Sequence, residues 1–258
     1  MTNDLSRNDI FRTALKLKNE GRLYNLADQA SEDTFRGSID RFCLIAYELR
    51  NCKKILDIGS GVGILISLLH ELGHECYAVD MVDNRQKFPH TFNKLKEFKL
   101  CNVEVDSLPW PDDYFDAVVC CQALEHFSHS HLPAVKEMYR VLCKGGMLEL
   151  DVPNVACFRN RSRLLRGKHI TYDYEKHYLY AEPILYNGKS FFPDRHNREF
   201  TKKELEILFH AAGFQNIQVS FLKSRRFRSG MDKIKSLGTA LKDVIPSLRK
   251  SLIGFGIK

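Results

Sequence analysis

A short apolar run that stops at three closely spaced glycines constrains this chain more than any other feature. Residues 55–58 read Ile-Leu-Asp-Ile, which is typical of a buried strand, and Gly59, Gly61 and Gly63 follow on alternate positions. Residues 64–69 then begin an apolar, helical pattern. A strand, a glycine turn and a helix in this order bring bare backbone N–H groups and the positive end of a helix close to a ligand.

The spacing of the glycines and two nearby acids distinguish a dinucleotide from other nucleoside ligands. The dinucleotide fingerprint is G-x-G-x-x-G, whereas here Ile64 stands where the last dinucleotide glycine would be. Asp57 adds a carboxylate at the strand end, which suits an ammonium group better than a pyrophosphate. The next apolar run, 76–79, ends at Asp80, about where a second strand presents an acid to ribose hydroxyls.

The pattern D-x-G-x-G-x-G followed by Asp80 resembles the class I methyltransferases that depend on S-adenosylmethionine (SAM), in the branch that acts on small molecules and surface glycans. The resemblance implies SAM as the cofactor. It also implies an α/β three-layer sandwich, with N-terminal helices and a seven-stranded, mostly parallel sheet in the order 3-2-1-4-5-7-6. We expect one domain over residues 1–258, with a helical cap at 1–50 and a long insertion after strand five at 155–200.

The resemblance also implies which side chains hold the cofactor. Residues 83–98 predict a helix, and a short strand then leads to Asp-x-Leu-Pro at 106–109, whose acid would accept the adenine amino group. Arg36 is a candidate partner for the SAM carboxylate, and an arginine on a solvated helix face is the alternative. The predicted cofactor residues are Arg36, Asp57, Gly59, Ser60, Gly61, Gly63, Asp80, Met81, Asp106, Ser107, Leu108, Cys121 and Gln122.

Two histidines are the candidates for catalysis. Residues 124–126 follow the apolar run 117–121 and resemble the L-E-H segment of small-molecule methyltransferases, which places His126 near the methyl group. Its alternative role is a structural hydrogen bond at a helix start. His196 belongs to R-H-x-R-E-F-T at 195–201, which resembles methyltransferases encoded among surface-glycan biosynthesis enzymes. An imidazole is the natural base for a hydroxyl acceptor.

The insertion at 155–200 has the composition of a binding lid. It holds nine aromatic residues and nine Lys or Arg against five Asp or Glu, and it lies where such folds bind ligands. We expect it to contact the acceptor, with Tyr172, Tyr174, Arg195 and Arg198 as the binding residues. A lid that packs only on its own apolar residues is the alternative.

The basic charge of the chain is concentrated in its tail. The net charge is +7, and the residues from Lys223 to the end contribute ten Lys or Arg and two Asp, so the first 222 residues carry +7 − 8 = −1. The segment 223–250 is predicted to be a basic amphipathic helix that packs on the core, or that rests on the inner face of a membrane. Because no recognition module accompanies it, no nucleic acid is expected as a partner.

Two features that the sequence lacks bear on the expected location of the protein and on the state of its cysteines. Residues 1–19 contain no continuous apolar stretch, so no secretory signal is predicted and a cytoplasmic location is expected. The eight cysteines form no C-x-x-C pair, which favours buried thiols over a metal site. The oligomeric state is not indicated by the sequence.

The acceptor divides the functional hypotheses. O-methylation of a hydroxyl on a sugar or surface-glycan precursor fits the R-H-x-R-E-F-T resemblance, and a small diffusible metabolite or quinone-like ring fits the L-E-H resemblance. A hypothesis of another class is a non-catalytic SAM-binding scaffold in a biosynthetic complex. The N/D-P-P-Y/F motif of many nucleic-acid and amine N-methyltransferases is replaced after strand four by Gln122-Ala123-Leu124.

Overall fold

A computed structural model describes residues 5–171, 173–223 and 244–258 of the chain. Its α-helices are α1 Arg7–Asn19, α2 Gln29–Glu48, α3 Ile64–Glu71, α4 Pro89–Phe92, α5 His131–Val141, α6 Phe158–Leu164 and α7 Lys202–Ala212. Its strands are β1 Lys54–Ile58, β2 Glu75–Asp80, β3 Glu97–Leu100, β4 Phe115–Cys121, β5 Leu142–Pro153, β6 Ile184–Tyr186, β7 Lys189–Phe191, β8 Gln215–Phe221 and β9 Ser251–Ile257.

Seven of these strands form one sheet in the order β3-β2-β1-β4-β5-β9-β8. The strands from β3 to β5 are parallel, and β9 is antiparallel to both of its neighbours. Because β6 and β7 form a separate hairpin, β8 and β9 are the sixth and seventh strands of the sheet. The predicted α/β fold and its strand order are therefore confirmed.

The sheet is covered by helices on both faces, as the composition of β4 requires. Residues Ala117 to Cys120 are 0% exposed, which is the behaviour of a central parallel strand buried on two sides. Val118 and Cys120 pack into the core formed with α5 and α7, and Ala117 and Val119 pack into the core formed with α1, α2 and α3. The carboxyl ends of the parallel strands therefore open between two helical layers.

The prediction of a helix over 83–98 is wrong. Only Pro89–Phe92 is helical, and β3 begins at Glu97, where it pairs with β2. Proline is favoured in the first helical turn and prevents a helix from continuing through it. Phe98, which the prediction used as a helical position, packs its ring on Phe92 from the strand, with ring centroids 5.7 Å apart.

The insertion at 155–200 contains α6 and the β6–β7 hairpin, and it returns to the sheet at a bridge between Asn154 and Phe200. Helix α7 follows with the predicted capping box, in which the Thr201 hydroxyl accepts from the Glu204 N–H, and Gly213 ends it in a left-handed conformation. The predicted segment 223–250 falls largely on 224–243, outside the described residues. Within the described ranges, no helix combines the length and apolarity needed to span a bilayer.

Candidate functional site

A cavity of about 690 Å³ opens at the carboxyl ends of β1, β2 and β4. This is the edge at which open α/β sheets bind their ligands. The half nearest the glycine turn is lined by Gly59, Gly61, Asp80, Met81, Asn102 and Val103. The opposite half is formed by residues 126–127 and by residues 176–195 of the insertion. The cavity is therefore bounded by the glycine turn on one side and by the insertion on the other.

Gly59, Gly61 and Gly63 all adopt positive φ angles, of 72°, 54° and 77° respectively. They differ in what surrounds them. A Cβ added to Gly59 would lie 2.9 Å from the Cβ of Ala123, and one added to Gly63 would lie 2.8 Å from Thr91 Oγ1. A Cβ added to Gly61 would meet no atom within 4 Å. Gly59 and Gly63 are thus required by packing, and Gly61 borders the space left for a ligand.

Asp80 is fixed at the end of β2 by the glycine turn. Its Oδ2 accepts from the Gly61 N–H at 3.1 Å, and its Oδ1 accepts from the Val82 N–H at 3.0 Å. Burial raises the pKa of this carboxyl group. A carboxylate for ribose hydroxyls, with the apolar Met81 and Val103 beside it, is a set of groups that fits the nucleoside of SAM.

The structure places the predicted adenine motif outside the cavity. The Asp106 carboxylate accepts a hydrogen bond from the Tyr186 hydroxyl, and the N–H of the buried Leu108 donates to Glu137 Oε2 at 2.9 Å. Ser107, between them, does not line the cavity either. Because β3 ends at Leu100, earlier than predicted, the loop residues that reach the cavity are 101–104.

Gln122 lines the cavity directly after β4, as predicted. It has a φ of 51°, which is uncommon for a residue other than glycine. Its Nε2 donates to Asp151 Oδ1 at 2.5 Å and its backbone N–H donates to the Asp151 carbonyl at 3.0 Å. Cys121 points away from the cavity, with its Sγ 3.4 Å from Glu149 Oε2.

A cluster of buried charges lies beneath this edge of the sheet. Asp57, Glu149 and Asp151 project from β1 and β5, and Arg41 on α2 places its Nη1 3.1 Å from Asp151 Oδ1. Burial, with the charges of Asp80 and Asp151, raises the pKa of Asp57 to about 8. Asp57 does not line the cavity, so the structure does not bring its carboxylate to the position predicted for an ammonium ligand.

Arg41, and not Arg36, is the arginine that α2 directs to the sheet edge. Arg36 is 67% exposed at its side chain and forms an ion pair with Glu32 on the same helix. The Arg41 side chain is only 13% exposed. The sequence contained a signal for it, because Arg41 stands between the apolar positions Ile39 and Phe42, on the face of the helix that packs inward.

The two predicted catalytic histidines meet, although they are 70 positions apart in the chain. Their ring centroids are 4.9 Å apart with nearly perpendicular planes. His126 lines the large cavity, with its Nδ1 2.9 Å from the Arg195 carbonyl oxygen, and His196 lines an adjoining cavity of about 160 Å³. Burial and the neighbouring His196 lower the pKa of His126, which keeps it neutral near pH 7.

Of the predicted acceptor-binding residues that the structure describes, only Arg195 lines the large cavity. Its guanidinium carbon lies 3.6 Å from the centroid of the Phe192 ring. Tyr174 is exposed and stacks on Tyr178, and Arg198 forms an ion pair with Glu204 on the far side of the loop. Tyr172 lies outside the described residues. The sequence did not indicate which other residues of the insertion line the cavity. Among them are Tyr180, Glu182, Ile184, Phe191, Phe192 and Asp194.

Comparison with known proteins gives the family. The profile described as "Methyltransferase domain" matches residues 28–219. The mitochondrial ubiquinone biosynthesis O-methyltransferase of Mus musculus is 32% identical over 108 residues, which are 39% of this chain and 29% of that protein. The demethylmenaquinone methyltransferase of Staphylococcus carnosus (strain TM300) is 26% identical over 188 residues, 67% of this chain and 72% of the relative. The matched segment thus spans less than a third of the mouse protein.

Solved structures agree on the fold. A SAM-dependent methyltransferase from Archaeoglobus fulgidus superposes with a TM-score of 0.55 at 16% identity, over 90% of this chain and all of that one. The YcgJ protein of Bacillus subtilis gives 0.51 at 22% identity, over 84% and 97% of the two chains. Since the family profile covers residues 28–219, most of the chain, the protein belongs to this methyltransferase family and its cofactor is S-adenosylmethionine.

Proposed function

We propose that the protein methylates a hydroxyl oxygen on a quinone-like or phenolic ring. The observation that carries this proposal is the position of His126. It lines the cavity in the half that the insertion bounds. Ala123, three residues before it, packs against Gly59, so the histidine segment touches the turn that borders the nucleoside space. An acceptor bound in the insertion half therefore has an imidazole beside it.

The lining of the insertion half supports a flat acceptor. Phe127, Tyr180, Phe191 and Phe192 contribute four aromatic side chains to it, and Ile184 adds an apolar one. Aromatic side chains favour offset-stacked or edge-on contacts with another ring. Arg195, held over Phe192, supplies a cation at the same wall for an anionic ring substituent. The relatives named ubiquinone biosynthesis O-methyltransferase and demethylmenaquinone methyltransferase support a ring acceptor as well.

The chain's own residues would act mainly by alignment and by proton removal. SAM supplies a methyl group bound to a positively charged sulfur, so transfer requires an oxygen placed in line with the carbon–sulfur bond. Holding both reactants in one cavity replaces a bimolecular encounter, an effect that can contribute about 7–11 kcal/mol in well-oriented systems. His126, neutral because it is buried, is placed to accept the hydroxyl proton as the oxygen attacks.

A sugar hydroxyl is the second candidate acceptor, and a different part of the lining favours it. Glu182 and Asp194 are exposed at the insertion side of the cavity and offer carboxylates that accept hydrogen bonds from neighbouring sugar hydroxyls. Aromatic side chains also pack on the apolar faces of sugar rings. This candidate agrees with the resemblance of residues 195–201 to surface-glycan methyltransferases.

The test uses purified protein with radiolabelled SAM and two acceptor panels, hydroxylated quinones or phenols and nucleotide sugars or oligosaccharides. We expect label in an O-methyl group of the ring panel, with turnover lowered by His126→Asn while SAM affinity is retained. Transfer only to the sugar panel would replace the first candidate by the second. Tight SAM binding without transfer to either panel would refute both and favour the scaffold hypothesis.

A further inference from the structure

Three side chains with metal-ligating atoms converge beside the cavity. One ligand atom from each of Glu125, His126 and His196 lies within 4.8 Å of the other two. The turn after β4 supplies the first two, and the loop that precedes α7 supplies the third. We propose that Glu125, His126 and His196 bind a divalent first-row transition-metal cation. Resting on the proposed function, we further propose that this cation binds the acceptor hydroxyl.

The His126 imidazole is held in the way that metal-ligating histidines are held. In such sites the ring nitrogen that does not bind the metal usually donates to a carbonyl or a carboxylate. His126 Nδ1 lies 2.9 Å from the Arg195 carbonyl oxygen, so a hydrogen on Nδ1 leaves the lone pair of this ring on Nε2. His196 lies near a carboxylate, with its Nδ1 3.5 Å from Glu199 Oε1. The His126 ring is thus oriented by an oxygen acceptor outside the cluster.

The Glu125 carboxylate of the cluster is buried and is placed to contact a cation. Glu125 is 1% exposed, and its Oε2 forms no hydrogen bond with any residue in the described part of the chain. A buried carboxylate oxygen without a donor is energetically costly, and native structures rarely leave one. A cation between Glu125 and the two imidazoles would give this oxygen a partner.

The position and composition of the cluster indicate which cation it would take. His126 lines the large cavity and His196 the smaller one, so the cation would lie at the wall between the two. Two imidazoles and one carboxylate suit Zn²⁺, Mn²⁺, Fe²⁺ or Co²⁺, whereas Mg²⁺ and Ca²⁺ prefer oxygen ligands. Three protein ligands leave at least one coordination position for a substrate oxygen.

A cation at this place changes how the acceptor loses its proton. The hydroxyl oxygen binds the cation, which lowers the hydroxyl pKa, and the proton passes to water. The electron pair of that oxygen then forms the bond to the methyl carbon, and the carbon–sulfur bond breaks with its electron pair on sulfur. No oxidant or reductant is required. With the cation bound, His126 and His196 act as ligands, and water takes the proton that His126 would accept in the metal-free reaction.

A second cluster competes for the same interpretation and is less suitable. Cys121, Glu149 and Asp151 also bring their ligand atoms within 4.8 Å of one another. Asp151 is already paired with Arg41 at 3.1 Å, and none of the three lines the large cavity. A cation bound there would be separated from the acceptor, so we assign the site to the histidine cluster.

The test is calorimetric titration of the metal-stripped full chain with Zn²⁺, Mn²⁺ and Mg²⁺. We expect one Zn²⁺ per chain, weaker Mn²⁺ and no measurable Mg²⁺, and visible absorption bands when Co²⁺ is added. His126→Asn with His196→Asn should weaken Zn²⁺ by at least about 100-fold, since even residues that only support a ligand contribute about 10–100-fold. His210→Asn, which changes an exposed histidine on α7, is the control and should bind as the wild type does.

The single variants Glu125→Gln and His196→Asn keep the test informative if the double variant does not fold. The proposal is refuted if Zn²⁺ does not bind. It is also refuted if those variants bind Zn²⁺ as tightly as the wild type, or if Cys121→Ser is the change that removes binding. Zn²⁺ binding without methylation of any acceptor would refute the proposed function and leave the metal site. Full methylation by a metal-free chain that binds no Zn²⁺ would refute the metal site and leave the proposed function.

Discussion

Replacing two neighbouring glycines by alanine should separate cofactor binding from folding. Gly61 and Gly63 both have left-handed backbone angles, so alanine is strained at either position. At Gly63 the new methyl group would also lie 2.8 Å from Thr91 Oγ1 and 3.3 Å from Phe92 Cε2. At Gly61 it would meet no protein atom within 4 Å and would enter the cavity wall. The two alanine variants therefore differ in the surroundings of the new methyl group, which are protein atoms at position 63 and open cavity at position 61.

The expected free energies follow from these contacts. The left-handed conformation costs an L-residue about 1–2 kcal/mol, and this term is common to both variants. Forcing a methyl group into packed surroundings adds about 1–3 kcal/mol, and only Gly63→Ala carries this term. We expect Gly61→Ala to lower the affinity for SAM by at least about tenfold, which corresponds to ~1.4 kcal/mol, because its methyl group occupies ligand space.

Urea denaturation gives the free energy of unfolding, and calorimetry gives the dissociation constant for SAM and for its demethylated product. The expected result is a cross-over, in which Gly61→Ala is the weaker binder and Gly63→Ala is the less stable protein. Gly37, an α2 glycine whose added Cβ meets nothing within 4 Å and whose φ is ordinary, provides the matched alanine control. Undiminished SAM affinity in Gly61→Ala, or equal stability of the two variants, would refute the reasoning.

Further predictions concern the acids and arginines beneath the site. Arg41→Met should lower the free energy of unfolding by about 3 kcal/mol or more in urea, because it leaves the buried Asp151 without its cation. Arg36→Met, at an exposed pair, should cost less than about 1 kcal/mol. Asp80→Asn should weaken SAM binding in calorimetry by about tenfold while urea unfolding shows a folded protein. The pKa of Asp57 is raised to about 8 in the folded state, so its contribution to stability is complete below pH 4 and is lost as the pH rises to 8. Asp57→Asn should therefore flatten the fall in stability between pH 5 and 8, and an unchanged slope would contradict this assignment.

Local sequence determined the parts of the structure whose signals are local. The unbroken apolar run 117–121 identified the central strand, and the three glycines identified the turn at the cavity, because burial on both faces and positive φ angles each restrict residue type at single positions. The capping box of Thr201 and Glu204 located the start of α7 for the same reason. These features needed no knowledge of what packs against them.

The errors arose where the outcome depends on distant contacts. Phe92 and Phe98 fit a helical period, but Phe98 lies in β3 because β2 offers a strand partner there. β3 ends at Leu100, and Asp106 does not line the cavity. The local pattern places Arg41 on the inward face of α2, but it does not indicate the partner Asp151, which is 110 positions away.

The antiparallel strand β9 makes the far end of the sheet depend on residues Ser251–Ile257. Among the strands that the structure describes, β8 has β9 as its only neighbour in the sheet, and β5 pairs on that side with β9 alone. A chain shortened before Ser251 would expose the open edges of two strands, and unpaired edges of this kind recruit other chains. Loss of a short C-terminal stretch would then produce insoluble protein rather than a slightly weakened enzyme.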